Sequence, residues 1–360
     1  MRRELTAWFC ACAAGIAAPA AAQKAPDVRV PSTPSTVIRG HIPTGLPPVA
    51  KVKPGQVVAI DTLSHQGMNT PDGPVAFFGR GGIKSEDVLK DAIEVFPAVK
   101  PPPGGGIHVL TGPIYIEGAE PGDMLEVRVL DIQHRVAYGV NASNKGTGVL
   151  PELLAEQVFR VIPLDLNRNV ALFSPDIEVP LAPFMGIMAV APPPEVKSVS
   201  SRPPDTFGGN LDLKQLTRGA TLYLPVYNSG AQFFTGDAHS IQGDGEVDGT
   251  AIETSLAPTL QFFVHKARGA GMKWPRAETP THYIAMGIDK DLNLALKAAV
   301  QETVDFLMRE KGLDAKSAYA LASIGVDFRI AEAVNLNQTV YGMIPKSLFV
   351  RERPAYWFKP

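Results

Sequence analysis

The chain has 360 residues, 45% of them hydrophobic, and a formal net charge of −2. That length allows one large domain or two ordinary ones with an ample core, and the near-neutral charge excludes the basic footprint of a nucleic-acid binder. The 33 glycines and 33 prolines stay below the range of disordered chains and, with many short apolar runs, suggest strands joined by turns.

Arg2 and Arg3 precede an Ala-rich apolar run from Leu5 to about Ala18, and Ala20-Ala21-Ala22 fits a small-residue cleavage site. Residues 1–22 therefore read as a signal peptide, with Gln23 first in the mature chain and a periplasmic or secreted destination. The run is too short and too weakly apolar to span a bilayer. Both cysteines, Cys10 and Cys12, fall inside it. The mature chain then has no thiol, which excludes a disulfide, a cysteine-bound zinc and a cysteine nucleophile.

Residues 23–46 are rich in Pro, Ser and Thr without periodicity and read as an extended linker or an arm lying on the fold. The main domain, 47–360, opens with the first of three segments that share a plan, a turn followed by a strand: Lys53–Asp61, Glu120–Asp131 and Thr217–Val226. In the second, Leu125, Val127 and Val129 alternate with Glu126 and Arg128, so one face is apolar. Ser85 is placed as the cap of a helix over Glu86–Phe96, with Leu89, Ile93 and Phe96 as its buried stripe and Pro97 as its stop. Pro151 opens a short helix to Phe159. The clearest helix covers Asp291–Lys311: Leu292, Leu296, Ala299, Thr303, Phe306 and Leu307 recur at helical spacing, and Gly312 stops it. Asp314 caps a second helix, Ala315–Ser323. Strands first and a helical pair last give an α+β order rather than βαβ.

The chemistry-bearing residues gather in 230–254. Asp237 and His239 are two apart at the end of an apolar run, so an extended backbone points both to one face. Asp244 and Glu246 are again two apart. Asp61 and His65 form a second cluster after a strand, where loops carry side chains into a cleft. Asn210 and Asp212 follow Gly208-Gly209 and supply an acceptor pair or an ordinary Asx turn. Carboxylates and imidazoles are metal ligands, and carboxylates also shuttle protons. His108 and Glu117 are assigned structural roles, as are His134, His265 and His282, which lack acidic company. No Gly-x-Gly-x-x-Gly opens a helix, and there is no P-loop, Gly-x-Ser-x-Gly elbow or His-Glu-x-x-His. With no thiol and no convincing serine site, the economical chemistry is a metal-activated water.

Several longer motifs occur in order: Gly112-Pro113-Ile114-Tyr115-Ile116-Glu117-Gly118 running to Gly122-Asp123, Gly208–Asp212, Leu224-Pro225-Val226 with Gly230-Ala231, Gly236–Val247, Met286-Gly287, and Ala318-Tyr319 with Asp327. On these the chain resembles the acetamidase/formamidase family from about residue 47 to 350. The resemblance implies a β-rich α+β fold of packed sheets, sandwich- or barrel-like, ending in the helical pair. It also implies hydrolysis of the carbon–nitrogen bond of a linear amide such as acetamide or formamide, releasing ammonia, with a divalent metal in some members. The chain departs from the family in its export signal and in an expanded region, roughly Asn144–Asp176, that reshapes the expected pocket. On this reading Asp237, His239 and His65 or Asp61 hold one divalent ion, zinc first and calcium as the alternative. Glu246, with Asp244 as substitute, carries the proton, and Asn210 and Gln242 bind the amide. The expected partners are a small amide and further copies of the chain, with no nucleic acid and no membrane after the leader is removed. Two rivals stand: a non-catalytic periplasmic binding protein with a structural metal, and a hydrolase of a larger or cyclic amide.

Overall fold

The computed structural model describes residues 25–351. The expected leader lies outside them, and no helix among the described residues is long and apolar enough to cross a membrane.

All three turn–strand units enter one nine-stranded sheet. Their strands are Val57–Ile60, Met124–His134 and Thr221–Pro225. Leu256–His265 pairs antiparallel with the first two, and the third lies on the far side of Met124–His134. Leu125, Val127 and Val129 are buried, as their alternation requires, but so is Glu126 on the opposite face. Arg128 and His265 hold it there, so His265 does have an acid beside it.

A second, twelve-stranded sheet is built around Phe233–His239. That strand pairs antiparallel with Phe184–Ala189, Val109–Ile116 and Glu253–Thr254. The two sheets meet in one apolar cluster, with Leu125, Val127, Leu222 and Phe262 from the first and Leu110, Ile187 and Phe233 from the second. Burying each such side chain contributes roughly 1.5–3 kcal/mol, so this layer fixes how the sheets stack. No sheet among the described residues closes into a barrel.

The stretch before residue 47 is an arm built into the fold. Val28–Val30 pairs with Val57–Ile60, Val37–Arg39 with Val109–Ile116, and His41–Pro43 with Ser198–Ser200. Three-residue strands are too short to show alternation in sequence.

Among the described residues there are four α-helices. The first, α1 (Gly73–Arg80), was not anticipated; Pro74 opens it and Phe77 and Phe78 bury its face. The helix expected from Glu86 is split into a 3-10 turn at Ser85–Asp87 and α2 (Lys90–Ala98). Val88 and Leu89 between them take non-helical ψ values of 131° and 127°. Ile93 is exposed, and Ala92 and Val95 are buried in its place. The helix expected over 151–159 is absent. Val158–Asp165 is a strand paired with Tyr138–Ser143; Val158, Val161 and Ile162 suit a ladder, and cross-strand pairing overrides one N-terminal proline.

The C-terminal pair matches the sequence. In α3 (Leu292–Lys311) the Asp291 carboxylate accepts from backbone amides 293 and 294, and Gly312 ends the helix at φ 69°. In α4 (Ala315–Gly325) Asp314 plays the same part. Phe306, Leu307 and Ala318 pack on Tyr283 and Ala285 of the first sheet. A Cβ at Gly287 would come within 2.2 Å of the Ala299 nitrogen and 2.4 Å of the Ala295 oxygen, so only glycine lets α3 lie this close. Leu296 faces outward and Ala295 inward, reversing the expected stripe at that turn.

Candidate active site

Strand Phe233–His239 carries Asp237 and His239 to a point where both sheets contribute. His239 stands across from Glu253 on one neighbouring strand and from Phe184 on the other. His65, on the turn after Val57–Ile60, and His108, at the entry to Val109–Ile116, complete the group. His65 Nδ1 lies 3.2 Å from Asp237 Oδ1 and 3.6 Å from Glu253 Oε2. His108 Nε2 is 3.6 Å from Asp237 Oδ2. His239 Nε2 is 3.5 Å from Asp237 Oδ2 and 3.3 Å from Glu253 Oε2. All five side chains are buried. Asp212 and Glu246 adjoin them, each with an oxygen within 4.8 Å of a His239 nitrogen. Gly186 makes room: a Cβ there would meet Asp212 Oδ1 at 2.5 Å, Asp237 Oδ2 at 2.8 Å and His239 Cε1 at 2.9 Å.

The surrounding hydrogen bonds decide which imidazole nitrogen faces the group. Gln242 Nε2 donates to the backbone oxygens of Asp212 and Ala331, both at 3.0 Å. Two carbonyls can only accept, so the amide's Oε1 must face His239 Nδ1, also 3.0 Å away. Nδ1 then carries a proton and Nε2 offers a lone pair inward. The His108 ring is anchored by the buried Ser201 hydroxyl, 2.9 Å from its Nδ1, and that hydroxyl can donate or accept. His65 Nε2 is 3.0 Å from the Gln66 side-chain amide.

Four buried side-chain atoms here have no hydrogen-bond partner: Asn210 Oδ1, Asp212 Oδ1, His239 Nε2 and Glu253 Oε2. Each unpaired polar atom costs about 1–3 kcal/mol. With His239 Nε2 unprotonated all four are acceptors of the kind that bind cations, whereas a proton on Nε2 would face Glu253 Oε2, 3.3 Å away. Nitrogen and carboxylate oxygen suit several divalent ions, so the residues present fit such a group.

The electrostatics agree. Burial works against the charge of Asp237, but His108, His239 and His65 hold its carboxyl well below the usual range. Burial likewise opposes the charge of His239, yet Glu253 and Asp237 hold it well above the ordinary imidazole value. His65 is raised in the same way, whereas burial pushes His108 down to about 4. Burial, reinforced by the charge of Asp237, lifts Asp212 to about 7. Burial and Asp212 lift Glu246 well above its ordinary value, and burial lifts Glu332 to about 8. More carboxylates meet here than can all ionise, so protons occupy places that a cation would take.

Three of these acids sit on left-handed backbone: Asp212 at φ 44°, Asp237 at φ 53° and Glu246 at φ 45°. Such conformations are costly for residues with a Cβ and cluster at functional sites.

Of the residues anticipated from sequence, Asp237, His239 and His65 come together, with Asn210 and Glu246 lining the same cavity. Asp61 does not join them; its carboxylate faces Arg29 at 3.2 Å. Asp244 also faces elsewhere, accepting from the Tyr341 hydroxyl at 2.8 Å and lying 3.1 Å from Lys214. The left-handed turn at Glu246 breaks the alternation that would have aimed both acids alike. Gln242 orients His239, donates both amide hydrogens to backbone oxygens and is not among the residues lining the cavity. Sequence reasoning passed over Glu253, took Asp212 only as half of an acceptor pair with Asn210, and set His108 aside as structural. The one sequence signal for Glu253 is its place at the end of the acid-rich 230–254 stretch; nothing local marks His108.

The group opens into a cavity of about 460 Å³. The Acetamidase/Formamidase family profile matches residues 36–202 and 195–351. A formamidase from Methylophilus methylotrophus is 26% identical, over 84% of this chain and 87% of that one. An acetamidase structure from Bacillus halodurans superposes with a TM-score of 0.73 at 27% identity, covering 90% of this chain and 99% of that one. One from Yersinia enterocolitica gives 0.71 at 28%, covering 89% and 92%. With nearly all of the described chain matched and the same architecture, this protein belongs to the acetamidase/formamidase family.

Proposed function

We propose that the chain hydrolyses a small linear amide with water activated at a divalent cation, zinc first, held by ligands drawn from His65, His108, Asp237, His239 and Glu253. As its formamidase and acetamidase relatives indicate, it is a hydrolase of carbon–nitrogen bonds in linear amides. The observation that supports the metal is three overlapping buried triplets of ligand atoms, His65/His108/Asp237, Asp237/His239/Glu253 and Asp212/His239/Glu246, with His239 Nε2, Glu253 Oε2 and Asp212 Oδ1 lacking hydrogen-bond partners. A cation bound there supplies polarisation of the carbonyl and acidifies a water.

The chain's own groups do the rest. Asn210 Oδ1, buried and unpartnered, accepts from the substrate amide N–H and orients it. Glu246 takes a proton from the attacking water as the carbon–oxygen bond forms. It returns that proton to the nitrogen as the carbon–nitrogen bond breaks, since an amide nitrogen is too basic to leave unprotonated. Ammonia and a carboxylic acid result. Gln242 keeps His239 in the tautomer that faces the group, and Ser201 holds the His108 ring in place.

The test is ammonia release from formamide and acetamide by protein dialysed against a chelator, with and without added zinc. Loss and recovery are expected; full hydrolysis by metal-stripped protein would overturn the metal, and silence in both states would match a binding protein instead. The N-terminal pattern supports export, and sequencing of the exported chain should begin at Gln23. Self-association, our expectation for the assembly, is read by light scattering.

A further inference from the structure

The cavity is larger than the smallest amides need. At about 30 Å³ per water-sized atom, acetamide with its four heavy atoms fills on the order of 100 Å³ of the roughly 460 Å³ present. Beyond the carboxylate–imidazole group the wall includes Asn144, Gln157 and Arg202. Asn144 and Gln157 belong to the segment that the sequence marks as expanded, and they add side-chain amides to the wall.

Arg202 is the only Lys or Arg among the residues that line the cavity. It directly follows Ser201, whose hydroxyl holds His108, and its positive charge reaches the His108 ring. The guanidinium, on an exposed residue, therefore lies on the wall of the cavity into which the reacting group opens. Among the described residues it takes part in no ion pair, although Asp212, Asp237, Glu246 and Glu253 line the same cavity. Those acids crowd the end where the amide must react. Arg202 is the one cationic side chain on the cavity wall that could pair with a second anion. A planar guanidinium matches a carboxylate through two parallel hydrogen bonds. A substrate with an amide at one end and a carboxylate at the other would place its amide at the reacting group while its carboxylate pairs with Arg202.

We propose that the cavity takes the monoamide of a short dicarboxylic acid, with Arg202 as the receptor for the free carboxylate. The proposal rests on amide hydrolysis at the adjoining group. It makes Arg202 a specificity-determining residue.

The test compares ammonia release from succinamic acid and from butyramide, an uncharged amide of the same chain length, by the wild type and by Arg202→Ala and Arg202→Lys. Calorimetry of succinate binding to each protein runs alongside. The expected result is a higher kcat/KM for succinamic acid in the wild type. Arg202→Ala should lose at least about tenfold more on succinamic acid than on butyramide, mainly through KM, with partial recovery in Arg202→Lys. Succinate binding should weaken in parallel. Equal losses on both amides, or a wild-type preference for butyramide, would overturn the proposal while leaving amide hydrolysis intact. Absence of ammonia from every amide, with succinate binding still dependent on Arg202, would sink the hydrolytic reading and keep the anion site. Succinate binding indifferent to Arg202 would end the proposal in either case.

Discussion

Replacing Gln242 by leucine tests whether the network around His239 prepares a metal ligand. The substitution removes the acceptor for His239 Nδ1 and both donors to the backbone oxygens of Asp212 and Ala331. At about 1–3 kcal/mol per stranded buried group, relaxation included, fold stability should fall by about 2–5 kcal/mol. The stronger expectation concerns metal. Losing the partner that fixes a histidine ligand typically lowers metal affinity about 10–100-fold. Glutamate at the same place restores an acceptor for Nδ1–H but not the two donors. Gln242→Glu should therefore recover much of the affinity without recovering the stability. The assay is metal competition against a chelator of known affinity, paired with thermal unfolding of the metal-free proteins. The reasoning fails if Gln242→Leu binds metal within about twofold of wild type. It fails equally if the two variants lose the same affinity, since the tautomer argument separates them.

Glu246→Gln should retain metal yet lose at least about a hundredfold in turnover, the usual contribution of a proton carrier; a loss under tenfold removes Glu246 from that role. Gly186→Ala should empty the metal site, because the new Cβ occupies the space shared by Asp212, Asp237 and His239; full metal content in that variant contradicts the packing argument. Metal-free protein should lose stability as pH rises from about 4 to 8. Asp212 and Glu332 keep protons in the fold up to about 7 and 8 while their unfolded counterparts have released them, and the raised His239 and Glu246 act in the same direction; His108 and His134, lowered to about 4, act the opposite way and are outweighed. Saturating metal should flatten that slope by replacing the protons. A melting temperature higher at pH 8 than at pH 5 in the metal-free state would refute it.

Much of the fold was legible because its signals are local. Leu125, Val127 and Val129 alternate within one strand, and Asp291, Gly312 and Asp314 announce their helix ends within a turn. The site was legible only where two of its members share a strand, as Asp237 and His239 do. His108 reaches Asp237 because its strand pairs with Phe233–His239 across more than a hundred residues of sequence, and no local pattern encodes that pairing. Asp61 failed for the opposite reason. Its spacing looked right, but Arg29, on a three-residue strand invisible to periodicity, lies beside its carboxylate. The strand at Val158 shows the same override, since the partner that decides it is Tyr138–Ser143.

The positive φ angles at Asp212, Asp237 and Glu246 offer a way to read other chains of this shape. Glycine would relax the main chain at all three positions and, at 212 and 246, would also remove an acid that burial keeps from ionising. A descendant freed from hydrolysis would gain by making those exchanges, whereas one still turning over substrate must tolerate the awkward geometry. Glycines at these three places, in an otherwise matching sequence, would therefore mark a scaffold that has outlived its reaction.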